Sequence, residues 1–231
     1  MKHSVRPELI IFDCDGVLVD SEPISTLVLS ELFVQYDIPI DQSTIYKRFL
    51  GRSMASMRSV LHEEYGIAMT EQHLQFVRLN MRERFARELK PVPGVADALA
   101  RLRTPVCVAS SSSPERIRLS LGVTGLLDYL EPHIFSATMV ENGKPAPDLF
   151  LHAAREMGVD PEKCVVVEDS PAGVMAAQAA RMRVFAFTGG GHALAAGLEA
   201  GLAALDPDLI FSDMRDLPDY LAFGKATKKA Q

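Results

Sequence analysis

Six short apolar runs punctuate the chain: LIIF at 9–12, VCVA at 106–109, HIFSA at 133–137, CVVV at 164–167, VFAF at 184–187 and DLIF at 208–211. They are rich in Val, Ile and Phe and lack polar alternation. That pattern predicts strands covered on both faces, hence a parallel sheet. The later runs are spaced by about 20–30 residues, the length of strand–helix–strand units. Local signals mark the helices between them. Ser113-Pro114-Glu115 supplies an N-cap, a first-turn proline and a first-turn acid, with Gly122 as the expected stop. Pro147-Asp148 opens a second helix that ends at Gly158, and Pro171 opens a third.

One interval breaks this rhythm. Between the first run and VCVA lie more than 90 residues with no strand-like segment. Helical patterns occupy 22–36, 41–50, 54–65 and 71–89, punctuated by Gly51, Ser53, Gly66, Thr70 and Pro91. A helical insert after the first strand, returning near Pro91-Val92-Pro93-Gly94, is the economical description. It divides the chain into an α/β core at 1–19 and 91–231 and a helical domain at 20–90.

Four strand-end or loop segments carry chemistry. FDCDG places Asp13 and Asp15 where the first strand gives way to its loop, the position at which open parallel sheets bind ligands. Carboxylates that converge there repel, and a divalent cation with oxygen ligands removes that cost. Taken alone, such a pair serves equally well as a cap or turn former. VVVEDS ends a second buried strand in Glu168 and Asp169. VASSS at 108–112 ends a third in hydroxyls and backbone N–H groups suited to an oxyanion, Ser110 and Ser111 among them. GKPAP fixes Lys144 between a glycine and two prolines.

Order and wording together, DxDGVLVDSE … S … GKPAPDLF … VEDSPAG, resemble the haloacid dehalogenase-like hydrolase superfamily from Ile11 to about Pro218. The chain is most similar to the subgroup with a small helical cap after the first strand, which holds β-phosphoglucomutases and phosphoglycolate phosphatases. The resemblance implies a Rossmann-like α/β fold and phosphoryl transfer. Asp13 would be the nucleophile that becomes an aspartyl phosphate, and Asp15 the general acid and then base. Ser110, Ser111 and Lys144 would hold phosphoryl oxygens, and Gly16 would turn the loop and bring N–H groups to phosphate. Mg²⁺ would be held by Asp13, the Asp15 carbonyl and Asp169, with Glu168 ligating directly or through water.

The remaining features narrow the reading. A dehalogenase needs neither Mg²⁺ nor an acid for its leaving halide, yet Asp15 and Glu168-Asp169 are present. In the mutases a histidine gates transfer to sugar, and the matching position is Ser25. A receiver-like signalling module lacks the insert and the GKPAPDLF and VEDSPAG segments. The reading is therefore Mg²⁺-dependent hydrolysis of a small phosphorylated metabolite, a sugar or sugar-acid phosphate, with 6-phosphogluconate phosphatase among the similar activities. A phosphosugar mutase stands as the alternative. The turn Leu50-Gly51-Arg52-Ser53 is expected to close over Asp13, with Arg52 facing the part of the substrate that is not transferred.

Composition is consistent with this. Thirty acidic against 24 basic residues give a formal charge of −6, which argues against nucleic acid. The apolar runs are too short for a membrane span, and early acids argue against a secretory signal. Cys14, Cys107 and Cys164 belong to or adjoin apolar runs and read as buried thiols in the cytoplasm. The six histidines show no ligand spacing, and the arginines at 78, 82, 84 and 87 read as a solvated face. Gly189-Gly190-Gly191 reads as a flexible turn, GKATKKAQ as a frayed tail, and the expected state is a monomer or small homo-oligomer.

Overall fold

A computed structural model describes residues 6–41, 44–45, 48–49, 54–191 and 197–223. All six apolar runs form strands: β1 (Leu9–Phe12), β2 (Val106–Ser110), β3 (Ile134–Ser136), β4 (Cys164–Glu168), β5 (Arg183–Phe187) and β6 (Leu209–Phe211). They pair in parallel in the order β3-β2-β1-β4-β5-β6, so β1 lies between β2 and β4. Ile10 pairs in register with Val106 on one side and Val165 on the other.

Strand periodicity builds two apolar layers from one sheet. Ile10, Phe12, Val108, Val165 and Val167 pack on one face, and Leu9, Ile11, Cys107, Ala109, Cys164 and Val166 on the other. Each is fully buried, and burying a side chain of this size stabilises by roughly 1.5–3 kcal/mol. The three cysteines are buried free thiols, and burial pushes each thiol's pKa up, Cys164 to about 11.

Apart from the single turn Leu127–Leu130, the helices among the described residues are α1 (Glu22–Gln35), α2 (Met54–Tyr65), α3 (Glu71–Glu88), α4 (Val95–Arg101), α5 (Pro114–Val123), α6 (Asp148–Glu156), α7 (Pro171–Ala179), α8 (Leu198–Ala203) and α9 (Leu217–Phe223). Ser113 caps α5 as its sequence predicts, Ser170 caps α7 ahead of Pro171, and Thr70 forms a capping box with His73. Gly122 does not stop α5. The helix runs to Val123, and the left-handed turn falls on Gly125 (φ 71°). The expected helix at 41–50 is only partly described, and Ser53, Arg52 with the turn around it, and the tail at 224–231 lie outside the described residues. No described helix is long and apolar enough to cross a membrane.

Two chain crossings connect β1 and α4 to the helices between them. The Asp20 N–H donates to the Lys90 carbonyl at 3.0 Å, and the Val92 N–H to the Leu18 carbonyl at 2.9 Å. The outgoing and returning segments are thus zipped side by side. Gly191 adds a third tie, its N–H donating to Asp20 Oδ1 at 3.0 Å. Gly191 serves this junction, and Gly189 is needed elsewhere, beside β6. A Cβ on Gly191 would stand 2.7 Å from Asp20 Oδ2, and one on Gly189 would stand 2.1 Å from the Ser212 carbonyl.

Candidate active site

Parallel pairing of β1, β2 and β4 brings their carboxyl ends to one edge, and with them Asp13, Ser110 and Glu168. A cavity of about 430 Å³ opens there. Asp13, Asp15, Ser110, Ser111, Lys144, Glu168 and Asp169 all border it, as do Ser25, Thr26, Arg58 and Arg78 from the helices between the crossings.

Lys144 comes from a loop 131 residues beyond Asp13, and its ammonium lies 2.5 Å from Asp13 Oδ1 and 2.8 Å from Glu168 Oε1. It also stands 4.9 Å from the centroid of the Phe150 ring. Burial works against its charge, but the two carboxylates outweigh burial and raise its pKa. Asp13 is pushed the other way from an ordinary carboxylate. Burial raises its pKa well above normal, Lys144 opposes this, and Glu168, Asp169 and Asp15 add to the rise.

Asp15 is placed differently. Its Oδ1 accepts from Ser21 Oγ at 2.7 Å and from Arg116 Nη2 at 3.0 Å, and its Oδ2 accepts from Ser112 Oγ at 2.7 Å. Burial raises its pKa, but Arg116 and the hydrogen bonds from Ser112 and Ser21 more than offset this, so it lies below the ordinary value. Ser112 is itself fixed, its carbonyl accepting from Ser136 Oγ at 2.6 Å.

A profile of the haloacid dehalogenase-like hydrolase family matches residues 7–181. The chain belongs to that family. It is 32% identical over 188 residues to the 6-phosphogluconate phosphatase of Escherichia coli K12, covering 81% of this chain and 85% of that one. It is 32% identical over 219 residues to a phosphorylated carbohydrates phosphatase of Thermotoga maritima, covering 91% and 99%. A crystal structure of a haloacid dehalogenase-like protein of unknown function from Agrobacterium tumefaciens superposes with a TM-score of 0.78 at 39% identity, covering 93% and 97%.

Two of the expected site residues of this hydrolase have partners within the protein. Gly16 adopts φ 81°, and its N–H donates to the Val19 carbonyl at 2.8 Å, closing the turn after β1. Glu168 is enclosed rather than open to an ion: Oε1 accepts from Lys144, and Oε2 accepts from the Ser170 N–H at 2.7 Å and Ser170 Oγ at 3.0 Å. Ser110 is buried, and its Oγ accepts from the Ser112 N–H at 3.1 Å.

Sequence reading missed Ser21, Ser112 and Arg116 as site residues. Ser21 carried a signal: it stands at the N-cap of α1 yet makes no cap bond, because its hydroxyl is turned to Asp15. The arginines of α3 are also less uniform than a solvated face. Arg87 pairs with Glu83 in solvent, whereas Arg84 reaches Glu31 of α1 at 2.7 Å and Arg78 borders the cavity.

Gly173 explains why VEDSPAG needs its glycine. A Cβ there would stand 1.7 Å from Glu168 Oε1 and 1.9 Å from its carboxyl carbon. Gly173→Ala is expected to displace Glu168 from Lys144 and to destabilise the fold by about 1–3 kcal/mol through overpacking. Urea unfolding together with turnover checks this, and an unchanged midpoint with full activity would contradict it.

The donor set at this edge fits a hard divalent cation. Asp13, Asp15, Glu168 and Asp169 border the cavity against the Lys144 ammonium and the Arg116 guanidinium, and oxygen is the ligand such ions take. Among the described residues no three His, Cys, Asp or Glu side chains gather at one point. A set of two carboxylates, one main-chain carbonyl and water is the arrangement Mg²⁺ tolerates.

Proposed function

We propose that this phosphoric monoester hydrolase cleaves a small phosphorylated sugar or sugar acid through an aspartyl phosphate on Asp13. One observation carries the reading: Asp13 and Asp15, two residues apart at the end of β1, border one cavity with different partners, Asp13 against the Lys144 ammonium at 2.5 Å and Asp15 within reach of Ser21, Ser112 and Arg116.

Asp13 attacks phosphorus through a carboxylate oxygen while the ester oxygen departs and takes a proton from Asp15. Water then attacks the aspartyl phosphate, and Asp15 accepts its proton. The donors around Asp15 favour its ionised form, which suits this second half. Lys144 and Ser110 offer positive charge and a hydroxyl where phosphoryl oxygens gather. Family members generally use Mg²⁺. Asp13, the Asp15 carbonyl and Asp169 would hold it here, with Glu168 contributing through water. When bound, the ion offsets repulsion between a carboxylate nucleophile and a phosphate dianion.

The segment at 20–90 acts as a cap over the core at 1–19 and 91–231. Its side of the cavity fits a hydroxylated, anionic leaving group. Ser25 Oγ and Thr26 Oγ1 are buried without a hydrogen-bond partner among the described residues, and Arg58 borders the same space with Arg78, whose guanidinium pairs with Glu71. The names of the Escherichia coli and Thermotoga maritima relatives support the same substrate class. Ser25, in place of the mutase histidine, favours water as the phosphoryl acceptor.

A screen of about a hundred phosphometabolites tests the reading. The expected hits are sugar and sugar-acid phosphates, with EDTA stopping turnover and Mg²⁺ restoring it. Full activity in the chelated protein overturns the metal assignment, and turnover of aryl phosphates alone overturns the substrate class.

A further inference from the structure

Arg116 has no assigned part in this reading, yet it sits where the core meets the helical segment. It lies on the first turn of α5, a core helix packed against α3. Its Nη2 donates to Asp15 Oδ1 at 3.0 Å, while its guanidinium carbon stands 4.9 Å from the centroid of the Phe85 ring of α3. Phe85 is buried, and Arg116 Nε is buried with no hydrogen-bond partner. A guanidinium that leaves Nε unpaired while facing a ring and one carboxylate oxygen is oriented by those two groups, with Glu22 of α1 adding a further negative charge nearby.

The two oxygens of Asp15 therefore answer to different parts of the molecule. Oδ2 is held by Ser112, which Ser136 anchors within the core. Oδ1 is held by Ser21, at the crossing into α1, and by Arg116, whose far face rests on Phe85. We propose that Arg116 is a positioning residue that couples the seating of the helical segment to the orientation of the Asp15 carboxylate. With α3 seated, Arg116 keeps Oδ1 turned as seen. As α3 shifts, the guanidinium loses its ring and its hold on Oδ1 loosens, leaving that oxygen to Ser21 while Ser112 retains Oδ2 as a pivot. The inference rests on Asp15 being the acid–base group.

Leaving-group dependence tests it, because a misplaced acid harms poor leaving groups most. Using kcat/KM confines the comparison to steps up to departure of the leaving group. The variants are Arg116→Lys, which keeps the charge but cannot lie flat on a ring, and Phe85→Leu, which keeps the Asp15 contact and removes the ring. The probes are phenyl phosphate and p-nitrophenyl phosphate, with circular dichroism to establish folding.

Both variants are expected to lose about tenfold or more on phenyl phosphate and no more than about threefold on p-nitrophenyl phosphate, a fraction of the rate a general acid supplies. Equal losses on both esters, or no loss on either, overturn the positioning role. Asp15→Asn separates this from failure of the underlying reading. A steepened dependence there with equal losses in Arg116→Lys rejects Arg116 alone. An unsteepened dependence in Asp15→Asn rejects the acid assignment and the coupling with it. If Arg116→Lys fails to fold, Phe85→Leu decides by the same criterion.

Discussion

Asp13→Asn is expected to lower kcat by at least about 10⁴-fold while the protein stays folded. The attacking atom is a carboxylate oxygen, and an amide of the same shape cannot replace it. Stability is expected to survive because Asp13 is a buried carboxylate crowded by Glu168, Asp169 and Asp15, so removing its charge relieves repulsion as well as losing the Lys144 contact. Thermal unfolding and steady-state turnover on the same preparation check both halves. Activity within about tenfold of the parent would rule out covalent catalysis by Asp13.

Lys144→Ala is expected to act on stability and activity together. Its ammonium is the shared partner of Asp13 Oδ1 and Glu168 Oε1, and its side chain is 3% exposed. Removing it leaves two carboxylates buried without their counter-charge, a change that costs about 3–5 kcal/mol when one member of a buried pair is deleted. Solvent screening offers little relief at this exposure. Turnover falls as well, because the charge facing the phosphoryl oxygens is gone. Urea unfolding measures the first effect. A loss under about 1 kcal/mol would mean that the pair is not a structural ion pair.

Much of the site was legible because its signals are local. Asp13, Glu168 and Asp169 stand at the ends of uninterrupted apolar runs, with Asp15 two residues past Asp13, and carboxylates there break the apolar pattern abruptly. Lys144 stood out through its prolines. Ser112 and Arg116 did not, since SSSPER reads first as a helix cap and that reading is correct as far as it goes. A hint was available in the placement of Arg116. A side chain on the first turn of a helix that follows a strand faces the carboxyl edge of the sheet, where the carboxylates also lie. The partners of Gly16 and Glu168 within the protein were not legible, because hydrogen bonds such as Gly16 N–H to the Val19 carbonyl are invisible in a motif.

The six strands, their parallel class and the helical interval followed from the sequence by itself. Hydrophobic period and turn chemistry are set by neighbours within a few residues. The sheet order β3-β2-β1-β4-β5-β6 did not follow from it, nor did the meeting of Lys144 with Asp13, or of Arg116 with both Asp15 and Phe85. Those contacts join residues from tens to more than a hundred positions apart. They exist because strand pairing and helix packing carry distant segments to one edge, where burial strips water from charges and leaves them each other as partners.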